Sequence, residues 1–459
     1  MIKIVKIDIV HWLFVLATLV LFVGMIIGTV KYNNIVHATA VIVMTIFIIY
    51  MLMRTRKIGT CELKKKQYVI IMCMIFLFSL IANAAVIYNV PLPYYSDFII
   101  AREQAIYMYD NFGIHPGYSD YYHAYPFNIN TVVFIGLLYR LIGDYHLVEL
   151  ITATFVNVTA IFTGLTVHNI TKNRILTVCV AMVYEFYSIF CMKTYMPYTS
   201  NLVMLFPILI VFVYTLRVSM FLRIILMSVI AFVGSTVKLT ALIPFIGIMI
   251  VEGILWVKEK NNKYIVVAII SSICFYSITS LYVCAIKDSI GFSPDPTIEH
   301  NVVYYLAQGQ NNDMGGQYNR FIAVLGDQHR PKAERDSLFW NMALGEFTSR
   351  SFMGHVKFFV SKIAICWGEV HQDNLSIGYC EKILLVIRHL FWFLALTLIF
   401  IGIFLFHDRK YYAMMLGVFG VVAYLYLSES GSRYVIMYSP IIFVMAAWVA
   451  DKLNKIMII

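Results

Sequence analysis

Few residues of this chain combine a reactive side chain with a setting suited to chemistry. Asp97 stands in PLPYYSDFIIAREQAIYMYDNFG, shortly after a long apolar run. It heads a helical pattern carried by Ile100, Ala101, Gln104, Ile106 and Met108. An Asp there caps the helix, and at a membrane surface it is also placed to take a proton from an attacking hydroxyl. Lys238 in GSTVKLTALIP and Arg433 in SESGSRYVIMYSP occupy polar breaks between apolar runs, and Lys193 in KTYMPYTSN is a third such cation. Scattered, such cations meet lipid headgroups. Converging, they hold a phosphate or diphosphate. In HPGYSDYYHAYPFN, Tyr125, Pro126 and Asn128 form a turn into an apolar helix. His115 and His123 lack a third ligand at close spacing, a weak metal pattern. The eight cysteines include no CxxC pair, which argues against a thiolate metal site. Cys366 and Cys380 fall in one region and are candidates for a disulfide. Neither GxxxxGK[ST] nor GxGxxG occurs, so no phosphate-cradling nucleotide loop is recognised.

Membrane helices must position these residues. Of 459 residues, 61% are hydrophobic and 13% charged, and the mean hydropathy is +0.79. A soluble domain carries about 25% charged residues, so lipid has to be the solvent for most of this chain. That excludes a soluble multidomain enzyme, a disordered chain and a fibrous repeat, and leaves an all-α polytopic membrane protein. The net charge of +10 collects in short loops, as expected of cytoplasmic loops, and nucleic acid is not an expected partner.

Apolar runs predict twelve spans, at 10–30, 36–53, 68–88, 146–168, 174–192, 197–216, 220–236, 239–257, 264–286, 383–406, 411–428 and 433–450. Lys3 and Lys6 before a 21-residue run mark a first span rather than a removable signal. The basic loop at 54–66, Lys172 with Arg174, Arg217 with Arg223, Lys258 to Lys263, and Arg409 with Lys410 set the inner side. Residues 89–127 are then outside and 169–174 inside, so an odd number of crossings joins them. The shorter apolar stretch, 129–142, is therefore expected not to cross and to form an interfacial or re-entrant helix on the outer face. Both termini lie inside. The organisation predicted is N-terminal transmembrane helices (1–88), a first external catalytic loop (89–145), central helices (146–286), a second external region (287–382) and C-terminal helices (383–459). Residues 355–370 read as an amphipathic helix along the outer surface.

In this order and sidedness, YYSDFIIAREQA, YPFNINTVVFIGLLYRLIG, YMPYTSN, VKLTALIP, GQNNDMGGQYN and ESGSRYVIMYSP resemble the GT-C superfamily of membrane glycosyltransferases. The resemblance is to bacterial relatives of the protein O-mannosyltransferases. It implies a GT-C-like fold in the cell membrane, with the active site on the extracytoplasmic face. Asp97 then matches the acidic residue of the first external loop, the general base. Lys238 and Arg433 match basic positions at the lipid-phosphate site, and Tyr125, Asn128 and Tyr198 line the substrate. The expected partners are a polyprenyl-phosphate-linked sugar, an acceptor that is a glycan, glycolipid or protein, and membrane lipids. No cofactor is implied, and a divalent metal at the Asp97 loop is left open. The chain departs from the simplest family pattern in two ways: two spans precede the one leading into the catalytic loop, and Ser200 stands where an Asp is expected.

Three rivals share the outline. A lipid-linked sugar transporter or flippase predicts ionisable groups at mid-membrane; Glu185 is the main one here. A polysaccharide polymerase or ligase also carries a large late external loop. A non-catalytic scaffold would carry little beyond its loops.

Overall fold

The computed structural model describes residues 9–32, 35–54, 63–92, 94, 96–111, 113–189, 191, 194–290, 295–368, 381–405, 408–429 and 433–456. Lys193 and Cys380 fall outside this description, as do side chains near several helix ends, including that of Arg433.

The described residues are helical, with no strand among them. The chain opens with α1 (Ile9–Tyr32), α2 (Ile35–Arg54) and α3 (Lys65–Asn89). The first polar region follows, with α4 (Asp97–Asp110), α5 (Ser119–Ala124) and α6 (Ile129–Ile142), and with 3-10 turns at Pro116–Tyr118 and Pro126–Asn128. The central set is α7 (Tyr145–Thr171), α8 (Arg174–Ile189), α9 (Thr199–Leu202), α10 (Leu205–Thr215), α11 (Met220–Val237), α12 (Ile243–Glu259) and α13 (Asn262–Ile290). The second polar region holds α14 (Val302–Gln310), α15 (Arg320–Gly326), α16 (Lys332–Thr348) and α17 (Phe352–Gly368). The chain closes with α18 (Glu381–Leu405), α19 (Arg409–Leu427), α20 (Arg433–Ile436) and α21 (Ser439–Ile456).

Among the described residues, six helices are long and apolar enough to cross a membrane. They are Lys65–Asn89, Tyr145–Thr171, Met220–Val237, Leu239–Glu259, Leu385–Leu405 and Lys410–Leu427. The bent pair Pro116–Ala124 and Pro126–Ile142, meeting at 110°, makes a seventh if taken as one span. Four further apolar helices are shorter: Thr18–Tyr32, Ala38–Tyr50, Thr199–Thr215 and Asn262–Ile278. Prolines account for some differences from the twelve runs read in the sequence. Pro440 places the start of α21 at Ser439 rather than 433, and Pro207 separates α9 from α10, because a proline nitrogen donates no helical hydrogen bond. α6 is about 21 Å long, short of a hydrocarbon core about 30 Å thick.

The main apolar core gathers around α21, whose residues from Ser439 to Ala447 are all buried. Within α7, hydroxyls of Thr154, Thr159 and Thr163 donate to carbonyls four residues back at 2.7–2.8 Å. Their polar atoms are thereby satisfied without water. α17 packs along α1. A Cβ on Gly28 would stand 2.4 Å from the carbonyl oxygen of Ala364 and one on Gly24 2.5 Å from Ile363. The two glycines thus allow close helix approach, the small-residue mode of membrane interfaces. The second half of α17, Lys362 to Trp367, is buried on every side, so it is not the half-exposed surface helix that its pattern suggested.

Candidate functional site

The chain leaves α3 through Tyr94, whose hydroxyl donates to Glu149 at the start of α7. His146 Nδ1 lies 2.9 Å from the same carboxylate. The Arg102 guanidinium stands over the rings of Tyr94 and Tyr145, at 4.9 and 5.3 Å. From this anchored loop the chain turns into α4 through Ser96, at φ 48° and ψ −130°. Ser96, not Asp97, holds the cap position, and its side chain makes no capping bond. Asp97 is the first helical residue and is half-buried. A carboxylate there is favoured by the helix dipole.

The charge of Asp97 reaches four phenols. Burial raises the pKa of Tyr121, and the Tyr198 hydroxyl and the Asp97 carboxylate add to the rise. Tyr122 is raised by burial and then by Asp97. Tyr125 is raised by burial, by its hydrogen-bonded neighbour Tyr304 and by Asp97. Tyr318, in the second polar region, is raised by burial and by the carboxylates of Asp327, Glu429 and Asp97. The Asp97 carboxylate therefore acts on hydroxyls of both polar regions. Tyr121 is the hub of this cluster. It accepts from Asn128 Nδ2 at 2.9 Å and lies 3.4 Å from the Tyr198 hydroxyl, while the Tyr198 ring packs 5.1 Å from Phe98. Asp97, Tyr125, Asn128 and Tyr198 are thus brought together.

The second polar region docks onto the first at one seam. His300 N–H donates to Ala124 O at 2.8 Å, and the His300 ring lies between Tyr304, stacked at 3.7 Å, and Tyr125, edge-on at 4.6 Å. Behind the seam, GQNNDMGG wraps a buried ammonium. Lys362 Nζ donates to Gly309 O (2.6 Å), Ser428 O (2.6 Å) and Tyr426 O (3.0 Å). Gly316, at φ 76°, approaches so closely that a Cβ would lie 2.3 Å from Lys362 Cε. Burial pushes the Lys362 amine down to about 7; Arg350 pushes it the same way, against Cys366 and Glu429. Arg350 donates to Gln310 Oε1 at 2.7 Å and stacks on Phe358 at 3.7 Å. Glu429, next to Ser428, is half-buried.

Lys238 is half-buried and ends α11, its N–H donating to Gly234 O. Neighbours of Lys238 join α6, through Asn130 Nδ2 to Thr236 O at 3.2 Å, and the turn after α20, through the Tyr438 hydroxyl to Thr240 O at 2.6 Å. The backbone segments bearing Lys238 and Arg433 therefore meet, though the Arg433 side chain lies outside the description. Ser200 is buried and its hydroxyl has no hydrogen-bond partner. His115 Nδ1 accepts from Gly117 N–H. Among the described residues no three of His, Cys, Asp and Glu group as metal ligands. Cys366 is buried, and its proposed disulfide partner Cys380 is outside the description.

Sequence reasoning missed Tyr121, Tyr318, Glu429 and Lys362. The signal for Lys362 was present: one cation in the apolar half of HVKFFVSKIAICW. No protein-family model matches the chain, and no curated protein matches it.

Proposed function

We propose that the chain is a polytopic membrane glycosyltransferase of the GT-C type, acting on the extracytoplasmic face of the cell membrane. It moves a sugar from a polyprenyl-phosphate donor to a hydroxyl of a glycan, glycolipid or protein, with inversion. In this reading the twelve apolar runs are spans, both termini are inside, and α6 stays at the outer face. The observation that carries the proposal is the Asp97 carboxylate at a helix start, beside the Phe98–Tyr198 ring contact, its charge felt by phenols of both polar regions. Asp97 takes the acceptor proton as the acceptor oxygen bonds to the anomeric carbon and the sugar–phosphate bond breaks. Lys238 and Arg433 neutralise the charge gathering on the departing polyprenyl phosphate. Tyr125, Asn128 and Tyr198 orient the sugar through the hydroxyls and amide gathered at Tyr121.

The test is transfer from a polyprenyl-phosphate sugar by membranes carrying Asp97→Asn. Asn fits the first helical position at little cost, since the cap is Ser96. Protein level should hold while turnover falls by about two to four orders of magnitude. Near-normal turnover removes Asp97 as the base. Movement of a lipid-linked sugar across the membrane is the second reading, favoured by one observation, the buried carboxylate of Glu185.

A further inference from the structure

Glu185 lies eleven residues along α8 from Arg174. In the reading that makes the run 174–192 a span, that is about 16 Å, near the middle of a hydrocarbon core about 30 Å thick. The Arg174 guanidinium marks one end by donating to Leu63 O at 2.8 Å. Glu185 is 3% exposed, and neither carboxyl oxygen has a hydrogen-bond partner. Ser79 of α3 and Ser188 of α8 stand near enough to act on the carboxyl, but Ser79 lacks the geometry of a formed bond and the Ser188 hydroxyl is turned to the carbonyl of residue 185, at 2.9 Å. One turn along α3, Asn83 Nδ2 donates to Asn157 Oδ1 of α7 at 3.0 Å. Ser79 Oγ, Asn83 Oδ1 and Asn157 Nδ2 are also buried without partners. Three mutually packed helices thus bury one carboxyl and three unpaired neutral atoms, Ser79 beside the carboxyl and Asn83 one helical turn from Ser79.

A bare carboxylate in that setting is strongly disfavoured, and the groups beside it are neutral. One positive charge balances the site, and a second would leave it charged again. We propose that Ser79, Asn83, Asn157 and Glu185 form an intramembrane binding site for one monovalent cation, carried on Glu185 as a proton or held by the four residues as Na+. The acceptors Ser79 Oγ and Asn83 Oδ1 complete the shell around either occupant, and Asn157 Nδ2 donates to the carboxyl oxygen left over. The site adjoins the tyrosine cluster: the Tyr195 hydroxyl feels the Glu185 charge, and Tyr195 packs with Phe98, Tyr122 and Tyr198. The proposal stands on burial and unpaired atoms and does not depend on sugar transfer.

The titratable groups that interact with Glu185 are Tyr184 on its own helix and Tyr195 beyond it, and Cys191 lies beside both tyrosines. The polar groups that α3 and α7 contribute to the proposed site are Ser79, Asn83 and Asn157, none of them titratable. α21 presents Ser439, whose hydroxyl donates to Tyr184 at 3.3 Å. A change in the mildly acidic range that Glu185→Gln abolishes therefore reports Glu185.

The experiment treats the purified full-length protein in lipid nanodiscs with a hydrophobic carbodiimide, which reacts with protonated carboxyls, and reads the adduct by peptide mass spectrometry. An adduct at Glu185, absent from Glu185→Gln, is expected. Its rate should fall about tenfold per pH unit once the acid ionises, or fall with added NaCl but not choline chloride. Loss with pH alone identifies the proton; protection by Na+ identifies sodium. An adduct rate unchanged by both overturns the proposal. Because a reagent can fail to reach a buried acid, thermal midpoints are measured in parallel. A proton or Na+ bound only by the folded state stabilises it. The unsubstituted protein should therefore lose stability as pH rises, or gain it with Na+, while Glu185→Gln responds to neither. Identical profiles for the two proteins overturn the proposal whatever the labelling shows.

Discussion

Ser96 carries a backbone strain at the residue next to the candidate base. A serine at φ 48° and ψ −130° costs of order 1–3 kcal/mol and persists only where its surroundings fix it. Here the fixing groups are Tyr94 on Glu149 before it and α4 after it. Glycine takes this backbone without penalty but loses more entropy on folding, and the Ser96 side chain makes no capping bond to lose. Ser96→Gly is therefore expected to leave the thermal midpoint unchanged or raise stability by up to about 1 kcal/mol. Ser96→Val, β-branched at a positive φ, should lower it by about 2 kcal/mol. A lower midpoint for Ser96→Gly than for the unsubstituted protein would show that the turn is not strained. The same pair separates strain from chemistry, because a loosened Asp97 loses transfer in Ser96→Gly even where stability is kept.

Lys362 acts through the element that bears it. Its three carbonyl contacts tie α17 to the GQNNDMGG turn and to the end of α19. Lys362→Met keeps the length and leaves three carbonyls without their donor, although Tyr426 O still accepts from Gln310 at 2.8 Å. The expected loss is about 3 kcal/mol, read as a lower thermal midpoint in detergent. The amine also makes stability depend on pH. Folded, it loses its proton near 7; unfolded, it keeps it until about its ordinary 10.5. Between those values the unfolded chain binds more protons, so this group's contribution to stability increases as pH rises from 7 and levels above 10.5. Lys362→Met should abolish that increment, and an unchanged slope in the variant would assign it to other groups. The sequence made α17 legible as a helix but not its burial, because an amphipathic pattern reports one wet face and not what later packs on it. The tyrosine cluster was half legible. Tyr125, Asn128 and Tyr198 sit in motifs that catch the eye, whereas Tyr121 and Tyr318 matter only through contacts made across long stretches of chain. Glu429 is not legible in the sequence, because its place near Lys362 depends on α17 packing against the end of α19.

At the scale of the molecule, the proposed arrangement across the membrane rests on α6 remaining at the outer face. Asp144, exposed beside the left-handed Gly143 that ends α6, reports it. Asp144→Cys should react with an impermeant thiol reagent on intact cells, above the background of the native cysteines. Labelling that appears only after permeabilisation reverses the sidedness and with it the extracytoplasmic site. The helical class and the apolar runs could be read from composition alone, since lipid imposes them residue by residue. The partner of each helix could not, because packing joins segments far apart in the chain, whereas the breaks just before Pro207 and Pro440 have a local signal in the prolines themselves. The contact of Gly24 and Gly28 with Ile363 and Ala364 is the longest of these joins described above. A ribosome must add some 330 residues after Gly28 before Ala364 exists, roughly 20 to 70 s of synthesis. Throughout that interval the nascent α1 keeps its glycine face turned to lipid or to a biogenesis chaperone, so its final seat is taken only after α17 has been made.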